Sequence, residues 1–256
     1  MLKVGVVGCG YWGPNLIRNF TQLDSSDVVI CADLNKDRLA HMKRLYPNLE
    51  TTQDYNDIFA RSDIEAVVIA KPPPTHHPIA MKALEAGKHL FVEKPLGISS
   101  AECEEMVAAA EKRKLKLMTG HTFVYTAAVN KIKELIQAGE LGDILYISTT
   151  RVNLGIFQED INVVWDLAPH DVSILNYILD STPDSVSAHG HSYIRGKVED
   201  VAFLTFKYPK SILTNVHVSW LNPNKIRSTT VVGSKKMLVY DDISSLEKIR
   251  IYDKGV

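Results

Sequence analysis

From Lys3 to about Met118 the chain alternates two patterns. Short, almost wholly apolar runs rich in β-branched residues (KVGVV, DVVICAD, IEAVVIA, HLFVE and LKLM) are separated by stretches with helical spacing. Strands alternating with helices predict a parallel sheet. Because the runs are apolar throughout, both faces of that sheet are expected to be covered. Helix ends are legible as well. Pro14 stands where the first helix should begin, a place where a missing amide costs nothing. Gly87 follows HHPIAMKALEA as a carboxy-terminal cap, and Ser99 with Glu102 makes a capping box before a helix that runs to about Lys114.

After Gly120 the texture changes. One helix is predicted from roughly Ala127 to Ala138, then a strand DILYISTTRV, a loop, and a helix from about Leu167 to Leu179. The remainder is β-rich: SVSAHGHSYI, VAFLTFKY, SILTNVHVSW, STTVVG and KMLVYD, punctuated by PD, YPK, NPN and VGSKK turn signals. The fold class is therefore α/β, with a doubly wound parallel sheet over residues 1–120 and a second α/β domain over 121–256. That second domain is built on a mostly antiparallel sheet with helices on one face.

A chain of 256 residues can bury a substantial core as one large or two moderate domains. With 45% apolar and 23% charged residues it reads as globular, not disordered and not membrane-embedded. The net charge of −1, with both signs interspersed, leaves no footprint for nucleic acid or anionic lipid, so a small-molecule ligand is expected. Cys9, Cys31 and Cys103 lie far apart without a second sulfur or histidine at metal-ligand spacing. Neither a disulfide framework nor a metal site is expected, and the thiols read as buried in a reducing compartment. The apolar run in MLKVGVVGCG is too short for a signal-peptide core, which makes the expected location cytoplasmic.

Directly after the first strand comes Gly8-Cys9-Gly10-Tyr11-Trp12-Gly13, a GxGxxG that opens a helix. Gly8 permits a tight turn, Gly10 lets the backbone approach a pyrophosphate, and Gly13 lets helix pack closely on strand. The helix start adds free amides and partial positive charge for phosphates. The strand before the motif and the helix after it make this a Rossmann dinucleotide site. Asp33 ends the second strand, 20 residues beyond Gly13, where an acid hydrogen-bonds the adenosine ribose. A carboxylate there repels the extra phosphate of NADP, so NAD is preferred, with Arg38 the nearby arginine. The other reading of Asp33 is a cap for the helix NKDRLAHMKRL. Tyr11 and Trp12 read either as packing beside the pyrophosphate or as helix-start packing.

The run IAKPPPTHHPIAMKALEAGKHLFVEKPLG, with its PPxTH and EKP elements, together with GCGYWG and the later WDLAPHD, resembles the glucose-fructose oxidoreductase, inositol dehydrogenase and rhizopine-catabolism (Gfo/Idh/MocA) family over essentially the whole chain. GYWGPN and DLAPHD look most like its nucleotide-sugar branch, similar to UDP-N-acetylglucosaminuronate 3-dehydrogenases. The resemblance implies that Pro72, Pro73, Thr75 and His76 line the cofactor crevice and that Glu93, Lys94 and Pro95 lie beside the nicotinamide. Lys71 departs from the family, which more usually has a small residue or threonine there. Family members commonly continue through further β structure past Val256, so the reading allows a second domain truncated at its carboxy terminus.

Oxidising an alcohol needs a base near neutral pKa and a cation or donor for the developing alkoxide. If a helix begins near Asp166, that residue and His170 are one turn apart on one side, so the carboxylate can orient the imidazole. The plainer alternatives are that Asp166 caps the helix with Pro169 in its first turn, that His170 is an interior histidine, and that Lys94 is a surface lysine. The resemblance favours catalysis, with His170 as proton acceptor, Lys94 holding the reacting oxygen and Asp166 orienting, the lysine and histidine roles being exchangeable. Arg151 and Asn153 are candidate contacts for substrate polar groups or ordinary strand-end residues. His121 and Tyr125 are weaker candidates. The expected function is hydride transfer between NAD and a secondary hydroxyl of a sugar, nucleotide-linked, by a homodimer or homotetramer. The alternatives are a free-polyol dehydrogenase of inositol type and a non-catalytic dinucleotide-binding regulator.

Overall fold

The computed structural model describes residues 1–155, 157–159, 161–194 and 196–254. The chain divides into two compact units, Met1–Gly120 and His121–Val256.

The first unit runs β1 (Leu2–Val7), α1 (Gly13–Thr21), β2 (Ser26–Ala32), α2 (Lys36–Leu45), β3 (Glu50–Thr52), α3 (Asn56–Ala60), β4 (Ala66–Ile69), α4 (His76–Glu85), β5 (His89–Val92), α5 (Ser100–Lys112) and β6 (Leu117–Thr119). All neighbouring strands are parallel, in the order β3-β2-β1-β4-β5-β6. The uniformly apolar strands have the predicted cause, because successive side chains feed opposite faces. Val4, Val6, Val28 and Val68 pack with Leu16 and Ile17 of α1 and Met42 of α2. Val7, Val67 and Ile69 pack instead with Ile79 and Leu84 of α4 and Met106 of α5. The Ser99 hydroxyl accepts the Glu102 amide at 3.2 Å, and the Glu102 carboxylate accepts the Ile98 amide at 2.9 Å. β3 and α3 were not anticipated: three residues, Glu-Thr-Thr, show no apolar run, and α3 has only five residues.

The second unit runs α6 (Ala127–Gln137), β7 (Ile144–Val152), α7 (Val163–Leu179), β8 (Ser185–His191), β9 (Val201–Tyr208), β10 (Ile212–Ser219), β11 (Ile226–Gly233), β12 (Met237–Asp241) and β13 (Ile249–Tyr252). Its sheet has the order β13-β12-β11-β7-β10-β9-β8, antiparallel except for the β10–β7 pair. Helices α6 and α7 bury Val129, Ile132, Ile174, Leu175 and Ile178 against Ile147, Leu204, Val216, Val218 and Val231 of the sheet. Tyr146, Phe203 and Leu213 are exposed on strands β7, β9 and β10, and Phe203 stacks on His217 at 4.4 Å between ring centroids. β13 is an addition to the predicted strands.

Helix α7 starts earlier than its apolar spacing suggested. Asn162 is the cap, its side-chain oxygen accepting the Trp165 amide at 3.1 Å. Asp166 therefore does not cap the helix, and Pro169 lies inside it, beyond the first turn. Proline there has no amide to give the carbonyl four residues back, so the ladder is interrupted one residue before His170. No helix among the described residues is long and apolar enough to cross a membrane.

The tightest constraint in the first unit is at Gly13, where a Cβ would lie 2.0 Å from the Gly8 carbonyl oxygen. The obstacle is backbone, which cannot rotate away. Gly13→Ala should lower stability by about 1–3 kcal/mol, the scale of overpacking, as read from the urea midpoint of unfolding.

Candidate active site

The chain leaves β1 for β2 and β3 on one side and returns through β4 to the other, so strand order reverses between β1 and β4. Crevices at such points, outside the carboxyl ends of the strands, are where open parallel sheets bind ligands. Three candidate segments begin at carboxyl ends of adjacent strands: Gly8–Gly13 after β1, Lys71–Thr75 after β4, and Glu93–Pro95 after β5.

The three glycines have different causes. Gly8 has φ +103°, and a Cβ on it would lie 2.3 Å from the Ala70 carbonyl oxygen, so both conformation and space require glycine. Gly13 is required by Gly8. Gly10 is different: a Cβ there would meet only the Arg38 guanidinium, at 3.6 Å, an ordinary contact. A Cβ at position 10 would have room among the protein's own atoms, and a glycine turn after a first Rossmann strand is where a backbone can approach a phosphate. The first turn of α1 carries no acidic side chain, leaving its amides and partial positive charge for an anion. These residues fit a dinucleotide pyrophosphate. Tyr11 and Trp12 are exposed beside them and pack edge-on at 5.6 Å.

Asp33 is buried at the end of β2. One carboxylate oxygen accepts the Cys9 amide at 2.8 Å and the other accepts the Asn35 amide at 2.9 Å. It thus ties the glycine turn to β2. Capping of α2 falls to Asn35, whose side chain accepts the Asp37 and Arg38 amides. Arg38 lies 3.7 Å from the carboxylate, so the acid and the base flank the same corner. Cys9 and Cys31 are buried, and a hydrogen bond to Cys31, with burial, pushes the Cys9 thiol up.

After β4, Pro73–Thr75 form one turn of 3-10 helix, with the Thr75 hydroxyl donating to the Pro72 carbonyl at 2.7 Å. The Lys71 side chain passes close to Gly8, its Cδ 3.0 Å from the position a Cβ there would take. His76 departs from expectation. It is fully buried at the start of α4, with Nδ1 2.8 Å from the Pro95 carbonyl oxygen and Nε2 2.7 Å from that of Lys71. Both polar atoms of its ring are thus turned to main-chain carbonyls inside the unit, and the residue does not line a crevice. After β5, Glu93 is buried and accepts the Lys94 amide at 3.2 Å, and burial pushes its carboxyl up. Its carboxylate fills the space a side chain at Gly120 would need, 3.1 Å from the Cβ position. Lys94 is partly buried.

In the second unit, Asp166 and His170 stand one turn apart on α7, as expected. The Asp166 carboxylate accepts the indole N–H of Trp220 at 3.0 Å. The His170 ring packs edge-on to Phe123 at 4.8 Å, and the Arg151 guanidinium lies 4.6 Å from the centroid of the same phenyl ring.

Arg151, by sequence a substrate contact or an ordinary strand-end residue, gives two guanidinium nitrogens to Asp171, while Nη1 is buried without a hydrogen-bond partner among the described residues. It is buried in a two-point pair with Asp171, Nε to Oδ2 at 2.6 Å and Nη2 to Oδ1 at 3.3 Å. Burial pushes the Asp171 carboxyl up, opposed by Arg151 and Arg227. Asp171 went unnoticed in the sequence, although a signal existed: it falls in register with Ile174, Leu175 and Ile178 on the apolar stripe of α7. An acid on a buried stripe needs a cation. Asn153 follows β7, its amide donating to the Ser219 carbonyl at 3.2 Å. Tyr125 is exposed, and His121 opens the unit. Ile156 and Asp160 of the loop LGIFQEDINVV lie outside the described residues. Among the described residues no three metal-ligating side chains are grouped to hold an ion.

The parallel sheet with a glycine turn opened for a phosphate defines a Rossmann-type dinucleotide-binding protein. The chain belongs to the GFO/IDH/MocA oxidoreductase family: the family model "Oxidoreductase family, NAD-binding Rossmann fold" matches residues 2–121, and the "GFO/IDH/MocA C-terminal domain" matches residues 129–239. It is 29% identical over 229 residues to an inositol 2-dehydrogenase of Klebsiella pneumoniae, covering 85% of this chain and 67% of that protein. It is 27% identical over 225 residues to an uncharacterized oxidoreductase of Streptococcus pneumoniae, covering 81% of this chain and 60% of the relative's length. In fold it is similar to the WlbA dehydrogenase of Bordetella pertussis, solved with NADH and UDP-GlcNAcA, with a TM-score of 0.89, 20% identity, and cover of 100% of this chain and 78% of that one.

Two expectations follow. Gly10→Ala should change the free energy of unfolding by no more than about 0.5 kcal/mol, as for a surface change, while weakening NAD binding at least tenfold by fluorescence titration. Asp171→Asn leaves a buried guanidinium without its counter-charge, so it should cost about 3–5 kcal/mol in urea unfolding of the second unit.

Proposed function

We propose that this protein is an NAD-dependent dehydrogenase acting on a secondary hydroxyl of a sugar, nucleotide-linked, with Lys94, Asp166 and His170 handling the proton. The observation that carries the reading is Gly10: a glycine that the protein's own packing does not require, at the switch point of a Rossmann sheet. Pro72, Pro73, Thr75, Glu93, Tyr11 and Trp12 are proposed to face the cofactor, and Asn153 the substrate. Bound NAD supplies the hydride acceptor. His170 takes the hydroxyl proton, the Lys94 ammonium polarises the reacting oxygen, and Asp166 orients the imidazole from one turn earlier on α7. NAD is preferred over NADP because Asp33 holds negative charge at the ribose corner, although Arg38 beside it reduces the margin.

The nucleotide-sugar reading is supported by GYWGPN and DLAPHD and is in keeping with the UDP-sugar in the Bordetella complex. A second reading, a free polyol substrate, is favoured by the Klebsiella inositol 2-dehydrogenase at 29% identity. Self-association to a homodimer or homotetramer is part of the proposal, supported by the exposed Tyr146, Phe203 and Leu213 on strands of one sheet.

The test is single-turnover NADH formation with a panel of UDP-sugars and free polyols, with both cofactors titrated for every variant. Lys94→Ala and His170→Asn should each slow hydride transfer by about two orders of magnitude or more, while NAD affinity changes little. Asp166→Asn should be milder. Near-normal transfer in His170→Asn removes it as the base, and NADP binding as tightly as NAD removes the role given to Asp33. A protein that binds NAD but reduces it with no sugar or polyol is a regulator, not an enzyme.

A further inference from the structure

His76 was expected to face the cofactor, and its actual surroundings suggest a different task. It is the first residue of α4 and is fully buried, and its two ring nitrogens span two main-chain carbonyls on segments that follow different strands. Nδ1 lies 2.8 Å from the carbonyl oxygen of Pro95, next to Lys94 in the chain, and Nε2 lies 2.7 Å from that of Lys71, at the end of β4. A buried carbonyl needs a donor, and these two turn theirs to one side chain.

We propose that His76 is a positioning residue for Lys94: its ring ties the backbone after β5 to the backbone after β4 and so fixes where the Lys94 side chain begins. The proposal rests on the catalytic reading of Lys94 given above. Both partners are acceptors, so both links are hydrogen bonds when each ring nitrogen carries a proton. A neutral ring makes only one. Burial pushes the ring's pKa below the usual histidine value, and the carbonyls of Pro95, Lys71 and Leu96 and the Glu102 carboxylate act in the opposite sense. A neutral ring would set its lone pair against the second carbonyl, so the two-sided bridge belongs to the doubly protonated ring, which the carbonyls and Glu102 favour and burial opposes. Reaction rates depend steeply on such placement, since a misplacement of about 1 Å can cost about a hundredfold.

The experiment uses His76→Phe, which fills the volume without hydrogen bonds, and His76→Gln, which restores a donor and an acceptor. In the cofactor-free protein, amide hydrogen exchange is measured on peptides covering residues 71–76 and 92–98, with residues 26–32 of the same unit as an internal reference. With NAD and substrate, single-turnover rates and KM are measured separately. The expected result for His76→Phe is exchange at least tenfold faster in the two loop peptides only, hydride transfer slowed about tenfold or more, and KM changed less than threefold. His76→Gln should recover part of both effects. Unchanged loop exchange overturns the proposal, and so does acceleration that reaches the reference peptide equally, since that marks a residue serving general stability. Unchanged hydride transfer overturns it as well. If Lys94→Ala itself retains transfer while the exchange result holds, it is the catalytic reading of Lys94 that has failed, and the bridge stands without it.

Discussion

The close approach of α1 to β1 constrains the rest of the first unit. Gly13 sits so near the Gly8 carbonyl that no side chain fits, and Gly8 in turn sits against the Ala70 carbonyl at the end of β4. Two missing side chains thereby bring the start of a helix, the end of β1 and the end of β4 to within backbone contact. Asp33 closes the fourth side by holding the Cys9 and Asn35 amides. Its role in the fold is as concrete as the role proposed for it with a ribose. Gly10 lies in the middle of this arrangement and is the one glycine of the three that the surrounding atoms leave room to replace. A position kept open where its neighbours are crowded is what a phosphate-binding turn needs.

The second unit is organised around a different constraint, a charge pair taken out of water. Arg151 on β7 and Asp171 on α7 meet with both side chains buried, which is tolerable only because the geometry is two-pointed and each charge has its counterpart. The pair joins the helix that carries His170 to the central strand of the sheet. Phe123 extends the contact, receiving the Arg151 guanidinium and the edge of the His170 ring. On the same helix, Asp166 is engaged by Trp220 from the segment after β10. The proposed proton-handling residues of α7 thus stand next to groups whose partners come from other elements, an arrangement that limits their rotamers.

Lys94 shows the same principle in the first unit. Its neighbours on either side, Glu93 and Pro95, are both engaged: Glu93 fills the space beside Gly120, and the Pro95 carbonyl faces His76. A lysine whose flanking residues are held is better placed to present its ammonium reproducibly than one at a loose strand end.

The sequence alone determined the elements whose cause is local or periodic. Wholly apolar runs marked doubly covered strands, and a glycine motif between strand and helix marked the phosphate turn. The four-residue spacing of Asp166 and His170 put them on one side of a helix because 3.6 residues complete a turn. β3 and α3 escaped because such short elements carry no period, and the true start of α7 escaped because Asn162 caps it from within a loop of mixed character. Only the tertiary structure decided which polar residues are held by distant parts of the protein. Arg151, His76 and Asp33 have the residue types of a binding site, and each is also engaged by groups far away in the chain. Hydrogen bonds and ion pairs are satisfied by whatever lies within about 3 Å, and sequence separation carries no information about that distance.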